Sequence, residues 1–269
     1  MPAAQRVDAA LVARGLSVSR TAARKAIEAG RVSLRRVGHP DFLRVGKASI
    51  DVFDADELTV QAAEEDAWVS RGALKLIGAL DQCGIDVAGL HALDVGQSTG
   101  GFTDVLLARG AKRVVGVDVG HGQLHPRLGA HPDVRCIEGF NARDISRQAL
   151  EDAVSAHGDR NTWIPSGGFD LIVMDVSFIS LLKISSGLKT LMSPAGHGLW
   201  LVKPQFEVGP AHIGKGGIVK AEALGPEFEN GICQALRQQG LSIKQFMPSP
   251  IAGGDGNREY FVWVSPESA

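Results

Sequence analysis

Asp94-Val-Gly-Gln-Ser-Thr-Gly-Gly-Phe-Thr-Asp104 closes the apolar run of residues 92–95 with a glycine-rich turn and then resumes as a helical pattern. A strand, a tight turn and a helix in direct succession let the backbone approach a ligand closely, because Gly96, Gly100 and Gly101 place no Cβ in the way. Asp118 follows 24 residues after Asp94, at the end of the next apolar run, where a carboxylate accepts hydrogen bonds from ribose hydroxyls. Two carboxylates around such a turn imply a nucleoside cofactor. A nicotinamide dinucleotide favours Gly-x-Gly-x-x-Gly, whereas this turn reads Gly96-Gln97-Ser98-Thr99-Gly100-Gly101. Asp94 just before it suits the cationic amino-acid end of S-adenosylmethionine better than a pyrophosphate, so the methyl donor leads and the dinucleotide is the alternative. The lysine of a phosphate-binding Gly-x-x-x-x-Gly-Lys-Ser/Thr loop is missing, which sets nucleotide triphosphatase chemistry aside. Ser98, Thr99 and Phe102 join the candidate cofactor residues, together with Asn141 and Asp144 of Asn141-Ala-Arg-Asp144. That last segment recognises an adenine or serves as an Asn/Asp helix cap.

Outward from the turn, apolar runs at 92–95, 113–117, 134–137, 171–174 and 199–202 alternate with helical patterns. Such alternation predicts a parallel sheet with crossover helices, an α/β Rossmann-like fold. Residues 72–80 are helical in pattern, and 155–168, rich in Gly, Asn, Asp and Pro, read as a loop. Upstream lies a smaller α+β domain. Helices are expected over 6–15 and from Ser19 to Gly30, then strand-like pieces at 49–53 and 58–60 and an acidic connector at 62–66. The boundary is placed near residue 61, giving domains 1–60 and 61–269.

At 269 residues the chain is long enough for one large domain plus a small one. Its formal charge of −2 hides an asymmetry: residues 1–50 carry about +7 and the remainder about −9. Arg6, Arg20, Arg24, Arg31, Arg35 and Arg36 are candidate RNA-phosphate contacts, against the alternative of a solvated charged face. Cys83, Cys136 and Cys233 lie far apart without a Cys-x-x-Cys pair, which argues against a zinc site or disulfide framework and for a reducing compartment. No stretch approaches the ~18 uninterrupted apolar residues a membrane span needs, and no ordinary signal peptide is expected.

Asp175 ends the run 171–174 and Lys203 ends 199–202, so both are expected at the carboxyl edge of the sheet, where open α/β folds bind ligands. A plain salt bridge explains either residue alone. Methylation of an exocyclic amine commonly uses an Asn/Asp-Pro-Pro-Tyr/Phe turn after this strand, and here the turn is Asp175-Val-Ser-Phe178. Methylation at carbon five of a pyrimidine needs a cysteine nucleophile, and no cysteine follows these strands. An oxygen acceptor remains: a sugar hydroxyl whose proton a lysine takes. Lys75 favours the neutral amine while Asp175 and Glu259 oppose it, and the sequence leaves the balance open.

At this point the chain resembles the TlyA family of ribosomal RNA 2′-O-methyltransferases, historically labelled haemolysins. The resemblance runs nearly end to end. It is carried by Val69-Ser-Arg-Gly-Ala-Leu-Lys75, the turn 94–104, Val117-Asp-Val-Gly-His-Gly-Gln-Leu124, Asp175-Val-Ser-Phe-Ile-Ser180, Val202-Lys-Pro-Gln-Phe-Glu207, Gly214-Lys-Gly-Gly217 and Gly256-Asn-Arg-Glu259. Residues 6–53 resemble a small RNA-binding domain shared with a ribosomal protein. The resemblance implies a Lys-Asp-Lys-Glu tetrad of Lys75, Asp175, Lys203 and Glu259 with Lys203 as base. It also implies S-adenosylmethionine as donor, ribosomal RNA or a ribosomal subunit as partner, and a cytoplasmic enzyme. The last strand, 260–264, is then antiparallel and brings Glu259 to the common edge. Three departures stand out: His121 where an aromatic is usual, Gln97 in place of a small residue, and Leu34-Arg-Arg36 in place of an Asn-Gly turn. The competing classes are an RNA-binding assembly factor without turnover, a membrane-active haemolysin and a dehydrogenase.

Overall fold

The computed structural model describes residues 4–17, 19–62, 67–156, 158 and 163–267, and the chain divides into two units, Met1–Asp66 and Ala67–Ala269. Residues 63–66 of the expected connector and 157 and 159–162 of the expected loop lie outside the described residues.

In the smaller unit β1 (Gln5–Arg6) leads into α1 (Val7–Ala13), followed by α2 (Arg20–Glu28), β2 (Val32–Arg35), β3 (Leu43–Arg44), β4 (Asp51–Val52) and β5 (Glu57–Val60). Ser19 starts α2 by accepting the Ala22 N–H at 3.2 Å, and Gly30, at φ +67°, turns the chain out of it. Val7, Ala10 and Leu11 recur at helical spacing, as do Ala23, Ala26 and Ile27. Both sets are buried against Val32, Leu34, Val52 and Leu58. β2 lies between β3 and β5, all antiparallel, and β1 pairs with β4.

The larger unit follows the order α3 (Gly72–Cys83), β6 (His91–Val95), α4 (Gly101–Ala108), β7 (Arg113–Val117), α5 (Pro126–Gly129), β8 (Val134–Ile137), α6 (Arg147–Ala156), β9 (Phe169–Met174), α7 (Ser185–Leu191), β10 (Met192–Val202), α8 (Pro226–Gln238), β11 (Leu241–Pro248) and β12 (Tyr260–Pro266). Among the described residues these strands make one seven-stranded sheet in the order β11-β12-β10-β9-β6-β7-β8. It is parallel from β10 to β8, while β12 is antiparallel to both β10 and β11. Successive side chains alternate between faces. Leu93, Val95, Val117, Met174 and Val202 enter one core layer, and Ala92, Val114, Val173 and Leu201 the other. Burial on both faces explains why these strands read as unbroken apolar runs.

Between β6 and β9 the winding reverses direction, which opens a crevice at the carboxyl ends of the parallel strands. β12, running the other way, starts where those strands end: Tyr260 lies opposite Val202. Two features depart from the sequence reading. β10 begins at Met192 and shifts register before His197, and β11, at the sheet edge, was not anticipated. Among the described residues no helix is long and apolar enough to cross a membrane, and no group of three His, Cys, Asp or Glu is placed to hold a metal ion.

Candidate active site

Lys75 stands in the first turns of α3, Asp175 just past β9, Lys203 just past β10 and Glu259 just before β12. The sheet brings them into one row. Lys75 Nζ lies 2.7 Å from Glu259 Oε2 and donates to Asp175 Oδ2 at 3.5 Å; Lys203 Nζ lies 2.6 Å from Asp175 Oδ1. The contact between Lys203 and Asp175 approaches off the hydrogen-bond direction, so it acts as a close charge rather than an aligned bond. Lys203 makes its directed bond elsewhere, donating to Ser177 Oγ at 2.9 Å. Glu259 is 4% exposed, and burial raises its pKa above the ordinary carboxylate value although Lys75 and Lys203 pull it back down.

The loops carrying the row are tied together. Glu207, after β10, accepts Ser180 Oγ–H and the Leu181 N–H after β9, both at 2.7 Å. Asn257, 2% exposed, donates to Gly217 O at 3.0 Å and accepts the Val219 N–H at 2.9 Å, pinning the segment before β12 to the 213–219 loop. α3 can start close to α4 because Gly101 has no Cβ; one there would meet Ser70 Oγ at 2.2 Å.

Three adjoining cavities form a groove along this edge. One is lined by Ser70, Gly72, Gly96, Ser98, Thr99, Gly101, Phe102 and Asp175. The second, of about 400 Å³, is walled by Asp118, Val119, Phe140, Asn141, Ala142, Val176 and Ile179. The third lies beyond the row, with Lys75, Lys203, Gln205, Phe206, Asp255 and Glu259. Ser177 borders all three. The first two cavities fit S-adenosylmethionine: a polar end beside the start of α4, then a carboxylate next to an apolar slot. Each Asp118 oxygen accepts one backbone N–H, from Ser98 at 2.8 Å and Gly120 at 2.7 Å, which leaves lone pairs for a ribose diol.

Several expected cofactor contacts sit elsewhere. Asp94 is wholly buried and borders none of these cavities. It accepts the Thr103 hydroxyl at 2.7 Å, and Gln97 in turn donates to Thr103 at 2.8 Å. Asp94 thus holds the turn from beneath, and the acid on the wall of the polar cavity is Asp175. Burial pushes Asp94 up to about 7. Gln97 fills the space that Gly116 leaves open, where a Cβ would come within 2.0 Å of it. Gly100, at φ +93°, shapes the turn without lining the groove, and Asp144 is exposed away from it. Asn141 borders the apolar slot while capping the short turn after it, its Oδ1 accepting the Arg143 N–H at 3.1 Å. His121 packs over Gly139. Sequence reasoning passed over Ser70, Gln123, Phe140, Ser177, Phe178, Gln205 and Asp255, although most lie inside or next to the quoted motifs. Phe178 is 88% exposed with φ +65°, its ring 5.5 Å from that of Phe206. Such backbone strain clusters at functional sites.

In the smaller unit the arginines have more acidic partners than the sparse acids of residues 1–50 suggest. Arg6, Arg20 and Arg24 all reach Asp8, at 3.1, 3.1 and 3.0 Å. Arg36 pairs with Asp56 at 2.6 Å, Arg35 pairs with Glu57, and Arg31 donates to Gln61 O at 3.3 Å. Three arginines on one carboxylate still leave a positive surplus, and Arg20 and Arg24 keep half their side-chain surface exposed.

Comparison with known proteins gives a consistent result. The FtsJ-like methyltransferase family matches residues 68–265. The 16S/23S rRNA (cytidine-2′-O)-methyltransferase TlyA of Mycobacterium tuberculosis is 41% identical over 98% of this chain and 90% of its own length. Hemolysin A of Brachyspira hyodysenteriae is 35% identical over 96% of this chain and 98% of its own. A solved structure described as a hemolysin from Streptococcus thermophilus superposes with a TM-score of 0.71 at 33% identity, covering 100% of this chain and 90% of that one.

Proposed function

The chain belongs to the FtsJ-like methyltransferases, within their TlyA group, and from that premise we propose that it methylates the 2′-hydroxyl of a ribose in ribosomal RNA with Lys203 as general base. The observation that carries this reading is the row Glu259–Lys75–Asp175–Lys203, set where the cofactor cavities meet the cavity beyond. S-adenosylmethionine, when bound, would supply an electrophilic methyl group and leave as the neutral thioether, which keeps the electron pair of the carbon–sulfur bond. Lys203 takes the 2′-hydroxyl proton as the oxygen bonds to the methyl carbon, and the positive charge that this places on its nitrogen forms beside Asp175. Asp175 stabilises that new charge at 2.6 Å, while Lys75, held by Glu259, balances Asp175 from its far side. Asp118 would bind the cofactor ribose, and Phe140, Val176 and Ile179 would enclose its base. The arginines of the smaller unit hold RNA phosphates, and the enzyme works on cytoplasmic ribosomal RNA or ribosomal subunits.

The test is methyl transfer to ribosomal RNA and subunits by the full chain, with the modified positions mapped. Lys203→Ala is expected to lower the rate at least ~100-fold while S-adenosylmethionine affinity stays within a few fold. A wild-type rate in that variant, or a methyl group on a base atom, would refute the reading.

A further inference from the structure

Lysine as a base has a directional problem. Its amine turns freely about the Cε–Nζ bond, and only one of its tetrahedral directions carries the lone pair once the nitrogen is neutral. A neighbouring charge attracts an ammonium from any angle, but a neutral amine is oriented by aligned hydrogen bonds. In this site the charge and the alignment come from different residues. Asp175 Oδ1 sits 2.6 Å from Lys203 Nζ off the hydrogen-bond direction, whereas Ser177 Oγ receives a well-formed hydrogen bond from the same nitrogen at 2.9 Å.

We infer that Ser177 is the positioning residue of the general base: by accepting one N–H of Lys203 it turns the remaining direction of the amine toward the acceptor hydroxyl. The inference rests on Lys203 being the base. Three observations support it. Ser177 borders the two cofactor cavities and the cavity beyond, so its hydroxyl stands at the one place where donor and acceptor meet. Its short side chain follows directly on Asp175-Val176 and precedes Phe178, whose φ of +65° turns the backbone sharply at this point. The loop is also anchored from below, by Ser180 and Leu181 on Glu207, so the hydroxyl is presented from a fixed support. Ser177 is itself exposed, so its replacement removes a hydrogen bond without opening the core.

The test is a cycle of variants in the full chain: Ser177→Ala, Ser177→Thr, Lys203→Ala and the double variant Ser177→Ala/Lys203→Ala, with kcat, RNA KM and S-adenosylmethionine Kd measured for each. Ser177→Ala is expected to lower kcat about 10-fold, the kinetic equivalent of one hydrogen bond, with KM and Kd within about 2-fold of wild type. Ser177→Thr, which keeps the hydroxyl, should restore most of the rate. In the Lys203→Ala background Ser177→Ala should cost nothing further, because a residue acting through the lysine has nothing left to orient. A wild-type kcat in Ser177→Ala, an equal loss in Ser177→Thr, a loss residing in KM, or additive losses in the double variant each overturn the inference. An active Lys203→Ala would instead overturn the assignment of the base, so the two failures are distinguishable.

Discussion

Asp94 and Asp118 show how two acids of the same motif come to do different work. Asp118 faces the groove with lone pairs to spare. Asp94 lies beneath the turn, with Thr103 bonded to one oxygen and no partner among the described residues for the other. Replacing Asp118 by Ala should therefore weaken S-adenosylmethionine binding at least ~10-fold by calorimetry, as expected for lost hydrogen bonds to a charged acceptor, while Asp94→Asn should leave it within a few fold. Asp94→Asn has a separate signature in stability. The folded-state pKa of Asp94, about 7, lies above its ordinary value of 3.8. Stability from this group is thus full below about pH 4 and is lost as pH rises toward 7. The variant cannot ionise there, so its stability relative to wild type should move in its favour between pH 4 and pH 8 by on the order of a few kcal/mol, read as a melting-temperature difference that changes over that range. Parallel curves of melting temperature against pH would sink this account. The alternation of the sequence made Asp94 legible as a strand end, but not which face it took, because a one-residue offset decides that and glycine-rich turns leave it unmarked.

Elements were most legible where one period dominates. The parallel strands, apolar on both faces, and α3, with its buried stripe ending at Gly84, follow directly from their residues. β11 escaped because an edge strand mixes polar with apolar residues: Ser242, Lys244 and Gln245 interrupt the run. The turn between β6 and α4 depends on one atom's absence. A Cβ on Gly96, already at φ +85°, would come within 2.4 Å of the Asp175 carbonyl. Gly96→Ala should push back the exit of β9 and with it Asp175, lowering both cofactor affinity and transfer, with a stability loss of at least ~1 kcal/mol in denaturant unfolding. Wild-type affinity in a folded Gly96→Ala protein would show that the close approach is not needed. In the smaller unit α1 and α2 are joined through Asp8, which is held well below the usual carboxylate range by hydrogen bonds from Arg6, opposed by desolvation, and then by Arg20 and Arg24. A lowered folded-state pKa gives stability that is present above the ordinary value and is lost as pH falls below it. Protection factors of the α1 and α2 amides in the full chain, taken relative to intrinsic exchange at each pH, should accordingly fall below about pH 4, and be lowered already at neutral pH in Asp8→Asn. Unchanged protection in that variant would mean that the buried apolar contacts alone hold the two helices.

At the scale of the whole molecule, the basic surplus is confined to residues 1–50, because the acids of residues 51–66 bring the smaller unit to a formal balance, and the groove lies in the larger unit. If the arginines meet phosphates, RNA affinity should fall steeply with salt, and Arg20→Gln with Arg24→Gln should lower the slope of log affinity against log salt by about two. The same substitutions should leave S-adenosylmethionine binding unchanged, and an unaltered slope would place the RNA contacts elsewhere. The position of β12 has a consequence for biosynthesis. Glu259 opens the strand that must enter between β10 and β11, and it is the final member of the row to leave the ribosome. The strands around Asp94, Asp118 and Asp175 are translated well before it, and until it follows them Lys75 lacks its buried acid. The row is therefore the last part of the groove to be completed, together with Phe261 of the same strand, whose ring stacks on that of Phe102 in the polar cavity.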